Sequence, residues 1–260
     1  MPPLVPPHEG DAAAARGGPA GHHSTAVGPT RLRFDRVGQR VSAVTPREAL
    51  AAVPGLPETV LPDDLLDRLP VEVPPPPWSL KVRATVWMQR AAVPLPASSP
   101  YAGRALRLAF GAVLDYQDSP VGPYREVFVA VPLPRLGRPA MHVPFIAVDS
   151  LPSLQAGRAF WSLPKTLASF STTGDGRVVA IGDSWSVEVV PRTLPLPVPV
   201  AFPVLSAQDG RTAPTTIRGT VRPGLIRVAV RGPTLGGWLG EGTHPGFSAR
   251  GRIVLGPAED

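Results

Sequence analysis

Proline constrains this chain more than any other residue type: 36 prolines are spread along 260 residues. Each one fixes φ and removes a backbone donor, so helices and central strands must be short. Prolines are then expected at sheet edges, turns and bulges. Between them the sequence alternates. Leu80, Val82, Ala84, Val86 and Met88 interleave with Lys81, Arg83, Thr85, Trp87 and Gln89, the period of two of a half-buried strand. Further strand-length apolar runs lie at 106–116, 124–133, 142–148 and 249–255. Residues 178–190 read as a strand pair or one long bent strand, entered through Gly174-Asp175-Gly176. Residues 217–221 and 225–230 flank Arg222-Pro223-Gly224, a hairpin signal. Many short strands with Pro and Gly turns indicate an antiparallel barrel or sandwich.

Helical signals are few. Thr45-Pro46-Arg47-Glu48 has the form of a capping box with proline in the first turn, and the helix stops near Pro54. Residues 63–69 are a second short helical segment. Residues 153–162 are a third, ended by Pro164. Pro74 to Pro77 form a stiff spacer. The chain therefore divides into a Pro/Gly/Ala-rich disordered tail (1–30), a helical lead-in with spacer (31–77) and a β domain (78–257). A short strand is expected within 31–44. Gly232 to Gly240 reads as a mobile turn.

Several functions are disfavoured. Without cysteine there is no disulfide, iron–sulfur cluster or thiolate zinc site. His142 and His244 are isolated, and His22-His23 lie in the tail, so no metal is expected. Neither a dinucleotide fingerprint nor a P-loop occurs, so no cofactor is expected. The net charge of +6 comes from scattered arginines without a dense basic stripe, which argues against nucleic acid as a partner. No apolar run approaches a membrane span, the N-terminus lacks a signal-peptide pattern, and the absence of cysteine fits a cytoplasmic protein. Of 26 basic residues, only Lys81 and Lys165 are lysines.

Three segments stand out together: Trp78 to Arg83, Phe110 to Glu126 with its Pro123-Tyr124-Arg125-Glu126 end, and Gly157-Arg158-Ala159-Phe160-Trp161-Ser162-Leu163-Pro164-Lys165-Thr166. At these residues the chain resembles the acetoacetate decarboxylase-like family, over roughly residues 75–255 and most weakly after 190. The Gly-Arg-x5-Pro-Lys pattern would arise by chance only about 0.003 times in a chain of this composition. The resemblance implies a closed or nearly closed, mainly antiparallel β-barrel with a few short helices. It also implies a homo-oligomer acting on a small-molecule keto acid. Lys165 falls on the family's Schiff-base lysine, Glu126 on the carboxylate of its Tyr-x-Glu and Arg83 on its early-strand arginine. Tyr124, Arg158, Phe160 and Trp161 are the expected substrate-binding residues. Three family positions differ: the second lysine is Thr166, the glutamate of Gly-Arg-Glu is Ala159, and a further glutamate is Gly111.

The chemistry explains these residue types. An amine attacks a ketone only when unprotonated, and a solvated lysine at neutral pH is almost wholly protonated. Burial or a neighbouring cation favours the free amine. Phe160, Trp161, Leu163 and Phe170 are the expected apolar walls, with burial of Lys165 replacing the cation lost at Thr166. Plainer roles compete at each position. Lys165 would be a surface lysine, Glu126 half of a structural ion pair with Arg83 or Arg158, Arg83 a solvent-facing strand residue, and Arg158 a helix cap. For the whole chain, the alternatives to decarboxylation are aldolase- or dehydratase-type Schiff-base chemistry and a non-catalytic barrel for a small apolar or anionic ligand.

Overall fold

The structure is a computed structural model that describes residues 45–95, 97, 99–134 and 139–260. The tail at 1–30, its histidine pair and the strand expected within 31–44 lie outside the described residues. The described residues fall within one unit, Ser42–Asp260.

Eleven strands form one sheet: β1 (Trp78–Gln89), β2 (Ala109–Asp118), β3 (Tyr124–Leu133), β4 (Ala140–Val148), β5 (Lys165–Leu167), β6 (Ser169–Thr172), β7 (Val178–Ile181), β8 (Ser186–Thr193), β9 (Val198–Gln208), β10 (Arg211–Arg231) and β11 (Gly242–Leu255). Seven of them close on themselves in the order β11-β1-β2-β3-β4-β9-β10, with β10 pairing back to β11. The contacts are antiparallel except where β4 meets β9 and β5. Beyond the ring, β8, β7 and β6 continue from β10. Mainly antiparallel strands in a closed ring with short helices are what the strand pattern and the resemblance imply.

The two faces of β1–β4 bury different cores. One face holds Trp87, Val113, Val127, Val129 and Phe145 against β7, β8 and the second half of β10. The other holds Trp78, Leu80, Leu114, Tyr116 and Ile146, and looks into the ring. Helices α1 (Arg47–Ala51) and α2 (Asp63–Asp67) and the intervening Leu61 belong to this ring-facing core through Leu50, Leu61, Leu65 and Leu66, while Leu56, which leads into a 3₁₀ turn at Pro57–Thr59, joins the other core. The lead-in therefore packs directly on the β domain. No helix among the described residues is long and apolar enough to cross a membrane.

Local expectations were revised in four places. Helix α1 is capped by Pro46 without a side-chain hydrogen bond, so the Thr45 capping box does not form. Arg222-Pro223-Gly224 is no hairpin: β10 runs through it for 21 residues. The strand changes partner there, since Val221 is its last residue paired with β9 and Gly224 its first paired with β8. A side chain at Gly224 would strike the Arg192 carbonyl at 2.2 Å, so glycine serves close strand approach, not a turn. The glycines at 232–240 surround α4 (Gly236–Leu239), whose Trp238 and Leu239 are buried. Strand β9 went unrecognised because of Pro199 and Pro203. Both lie where β9 pairs only with β10, and the β4 contact begins at Leu205.

His142 on β4 is buried, with Nδ1 3.2 Å from the Ala207 carbonyl and its ring 4.9 Å from that of Tyr101. Burial lowers its pKa below the ordinary 6.5. The unfolded chain then takes up a proton first as pH falls, so the contribution of neutral His142 is complete above 6.5 and is lost in acid. Denaturant titrations from about pH 8 to about pH 5 are expected to show stability falling below 6.5 in the parent protein and a flatter profile in His142→Gln.

Candidate active site

Helix α3 (Leu151–Trp161) starts at Ser150, whose hydroxyl accepts from the Ser153 amide, and carries Pro152 in its first turn. It ends at Ser162, a left-handed residue with φ 49°, and Pro164 prevents its continuation. This tight exit returns the chain into β5, which begins with Lys165 and pairs beside Ile146 of β4. The lysine arm lies across Gly157. A Cβ there would sit 2.4 Å from Lys165 Cδ and 2.7 Å from Cε, so only glycine lets the arm pass.

Lys165 is buried, and its Nζ donates to Glu126 Oε2 at 2.8 Å and to Ser153 Oγ at 2.9 Å. The other carboxylate oxygen accepts from the Tyr116 hydroxyl at 3.0 Å. Nζ also lies 5.3 Å from the centroid of Tyr124, whose ring stands 4.5 Å from that of Tyr116. Burial raises both phenols well above their usual range, with the Glu126 charge as a further cause, so both stay protonated. Tyr116 therefore remains a donor to Glu126.

These groups stand at one end of a cavity of about 580 Å³ bounded by all seven ring strands. Trp78, Trp161 and Leu163 complete that end. Trp161 is fixed by its indole N–H bond to the Gly256 carbonyl at 2.8 Å and by an edge contact with Trp78 at 5.1 Å.

The structure thus brings Lys165, Glu126, Tyr124 and Trp161 together, but not the remaining expected residues. Arg83 is exposed on the opposite face of β1, because Trp78, Leu80, Val82 and Ala84 take the cavity side and a one-residue step reverses direction. It lines a separate space of about 370 Å³ with Asp115, Arg222 and Arg250. Arg158 does not line the cavity either. It is buried behind Lys165, where Nε donates to the Lys165 carbonyl and Nη1 to the Leu50 carbonyl, each at 2.7 Å, and Nη2 to the Thr59 carbonyl. Burial lowers its pKa to about 10, which leaves it a cation at neutral pH. It holds the lead-in against the lysine backbone. Phe160 packs on Trp161 at 5.8 Å outside the cavity lining, and Phe170 packs against the other core.

Gly111 also faces away from the site, under the Trp87 indole, where a Cβ would come within 2.2 Å of the ring. A glutamate at this position could not reach Lys165. Two site residues were missed. Tyr116 could have been found from the β2–β3 hairpin, which sets it opposite Tyr124. Ser153 precedes Gly157 by four residues on α3 and so shares its face.

Residues 105–186 match the family model described as acetoacetate decarboxylase. The acetoacetate decarboxylase from Legionella pneumophila subsp. pneumophila str. Philadelphia 1 shares the fold, with TM-score 0.50 and 14% identity over 72% of this chain and 87% of that one. This chain has an acetoacetate decarboxylase-like fold. A second acetoacetate decarboxylase structure aligns with TM-score 0.49 and 15% identity, over 76% of this chain and 97% of its own. An acetoacetate decarboxylase-like enzyme from Sphingomonas wittichii RW1 aligns with TM-score 0.42 and 14% identity, over 70% and 90%. No curated protein matches the chain. The matched segment contains Glu126, Ser153, Gly157 and Lys165, the residues that build the polar end of the cavity.

The fit of Lys165 against Gly157 has a measurable consequence. Alanine at an ordinary helical glycine stabilises by about 1 kcal/mol. Here overpacking against a buried side chain is expected to reverse the sign, so Gly157→Ala should lose about 1–3 kcal/mol in denaturant unfolding. A stabilised variant would show that the lysine arm does not lie there.

Proposed function

We propose that the chain is a Schiff-base enzyme that cleaves a carbon–carbon bond in a keto acid, with Lys165 as nucleophile. The observation that carries this reading is the buried Lys165 Nζ, 2.8 Å from Glu126 Oε2 at the polar end of an apolar cavity. The contact spans one proton transfer. Moving the proton from Nζ to Oε2 gives a free amine and a carboxylic acid, which removes two charges from an apolar site.

The amine adds to the substrate ketone and water leaves as the iminium forms. The bond to the substrate carboxylate then breaks, and its electron pair moves through the α-carbon to the iminium nitrogen. Carbon dioxide departs and an enamine remains. Glu126 gives its proton to the departing water, takes up another from solvent, and is placed to pass that one to the enamine carbon before water releases the ketone and Lys165. Tyr116 keeps Glu126 oriented throughout, because its hydroxyl holds the oxygen that does not face the lysine. Ser153 fixes Nζ from the helix side. Thr166 is no obstacle to this scheme, since Glu126 supplies the proton acceptor that the amine needs.

The test is borohydride reduction in the presence of a panel of keto acids, followed by peptide mapping. Lys165→Arg is expected to abolish both trapping and turnover, because guanidinium stays protonated and cannot attack a carbonyl. Lys81→Arg, exposed on β1, is expected to leave both unchanged. Label on Lys81, or on neither lysine across the panel, would favour a non-catalytic barrel.

A further inference from the structure

The cavity is built for more than a short keto acid. Its ionisable inward side chains, Lys165, Glu126, Tyr116 and Tyr124, are gathered at one end, and Ser206 and Thr215 add hydroxyls from β9 and β10. The opposite end is walled by Phe110, Ala130 and Met141, with Val86, Phe128 and Phe247 between it and Glu126. Leu114, opposite Glu126, and Phe110 both face the cavity from β2, four residues apart, so the apolar wall runs for roughly 14 Å at about 3.4 Å per residue. Nothing along that wall on β1 to β3 offers a hydrogen bond beyond the polar end: the inward positions are Leu80, Val82, Ala84 and Ala112 besides those already named.

The cations nearby do not alter this. Arg158 spends its donors on three backbone carbonyls. Arg218, Arg250 and Arg252 border the cavity, but they are exposed residues of β10 and β11 that alternate with the inward Ile217, Gly219, Gly251 and Ile253. Arg252 bonds Ser79, an outward residue of β1, at 2.7 Å. Among the described residues, the only cation on the inward face at the polar end of the cavity is Lys165 itself, paired with Glu126. A cavity of about 580 Å³ lies in the range that encloses most of a drug-sized ligand, and an apolar wall of this length selects by hydrocarbon contact.

We propose that the substrate of this site carries a long hydrocarbon body, which lies along the ring interior from Lys165 toward Phe110 while its ketone meets the lysine amine. The inference rests on the imine chemistry proposed above and names the substrate class of that same site. Selection comes from the body. Each methylene moved from water to the wall strengthens binding by about fourfold, until the far end is reached.

Methyl ketones from butanone to dodecanone test it in the intact protein with two readouts. Tryptophan fluorescence, from Trp78 and Trp161 in the cavity wall, reports binding whether or not an imine forms. Borohydride trapping, read by mass spectrometry, reports the imine. The expected result is a rise in both with chain length, by about fourfold per methylene, levelling off in the longest members. Ala130→Leu, which narrows the far end, is expected to move the optimum to shorter ketones. Trapping that is equal for butanone and dodecanone would overturn the long-bodied substrate and leave the imine reading standing. Binding that rises with length without any trapped lysine would support the apolar body and overturn the imine reading. Neither binding nor trapping across the series would overturn both.

Discussion

A lysine and a carboxylate buried together in an apolar wall must satisfy one another and every remaining donor and acceptor, or the fold cannot hold them. Two charges taken from water lose several kcal/mol of hydration each, and replacing such a pair by apolar residues is often neutral or stabilising. Here the pair is complete. Nζ donates to Glu126 and Ser153, and Tyr116 occupies the second carboxylate oxygen. Each partner comes from a different element: Tyr116 from β2, Glu126 from β3, Ser153 from α3 and Lys165 from β5. The arrangement therefore depends on the register of the sheet and on the seating of one helix. Gly157 lets the lysine arm through, and Arg158 ties the backbone beneath it to the lead-in.

The same geometry gives the site its chemical character. Closing seven strands into a ring places one apolar interior next to one polar cluster, so the Lys165 amine, the Glu126 carboxylate and the cavity share a boundary. The other face of β1–β4 is consumed by a second core around Trp87 and Phe145. That division explains the fate of the residues that differ from the family. Gly111 belongs to the second core and has no bearing on the amine. Thr166, beside Lys165, is buried but does not line the cavity.

How much could be read in the sequence follows from which physical signals are local. Strand β3 was legible to the residue, and α3 within two residues, because an apolar run of strand length and a stopping proline both act over short distances. Lys165 and Glu126 were found through motifs that straddle those elements. Arg83 shows the limit. Its alternation with Leu80, Val82 and Ala84 already placed it on the outward face, and the family position outweighed that parity. Arg158 shows another, since its targets are the carbonyls of Leu50 and Thr59, which no local pattern links to it. The strand at β9 was hidden because proline content signals loops, whereas a strand with a partner on one side tolerates it. Pro223 and Gly224 misled in the converse way, marking a change of strand partner where a hairpin was read.

The central claim is that Glu126 takes the proton that frees the Lys165 amine. Glu126→Gln keeps the shape of the side chain and removes the acceptor charge. The direct measurement is the rate at which a borohydride-reducible adduct forms on Lys165 in this variant, under single-turnover conditions with saturating ketone. A fall of about 10²–10⁴-fold against the parent protein, with the adduct still on Lys165, is the expected result. An adduct that forms as fast with glutamine at 126 would contradict the claim.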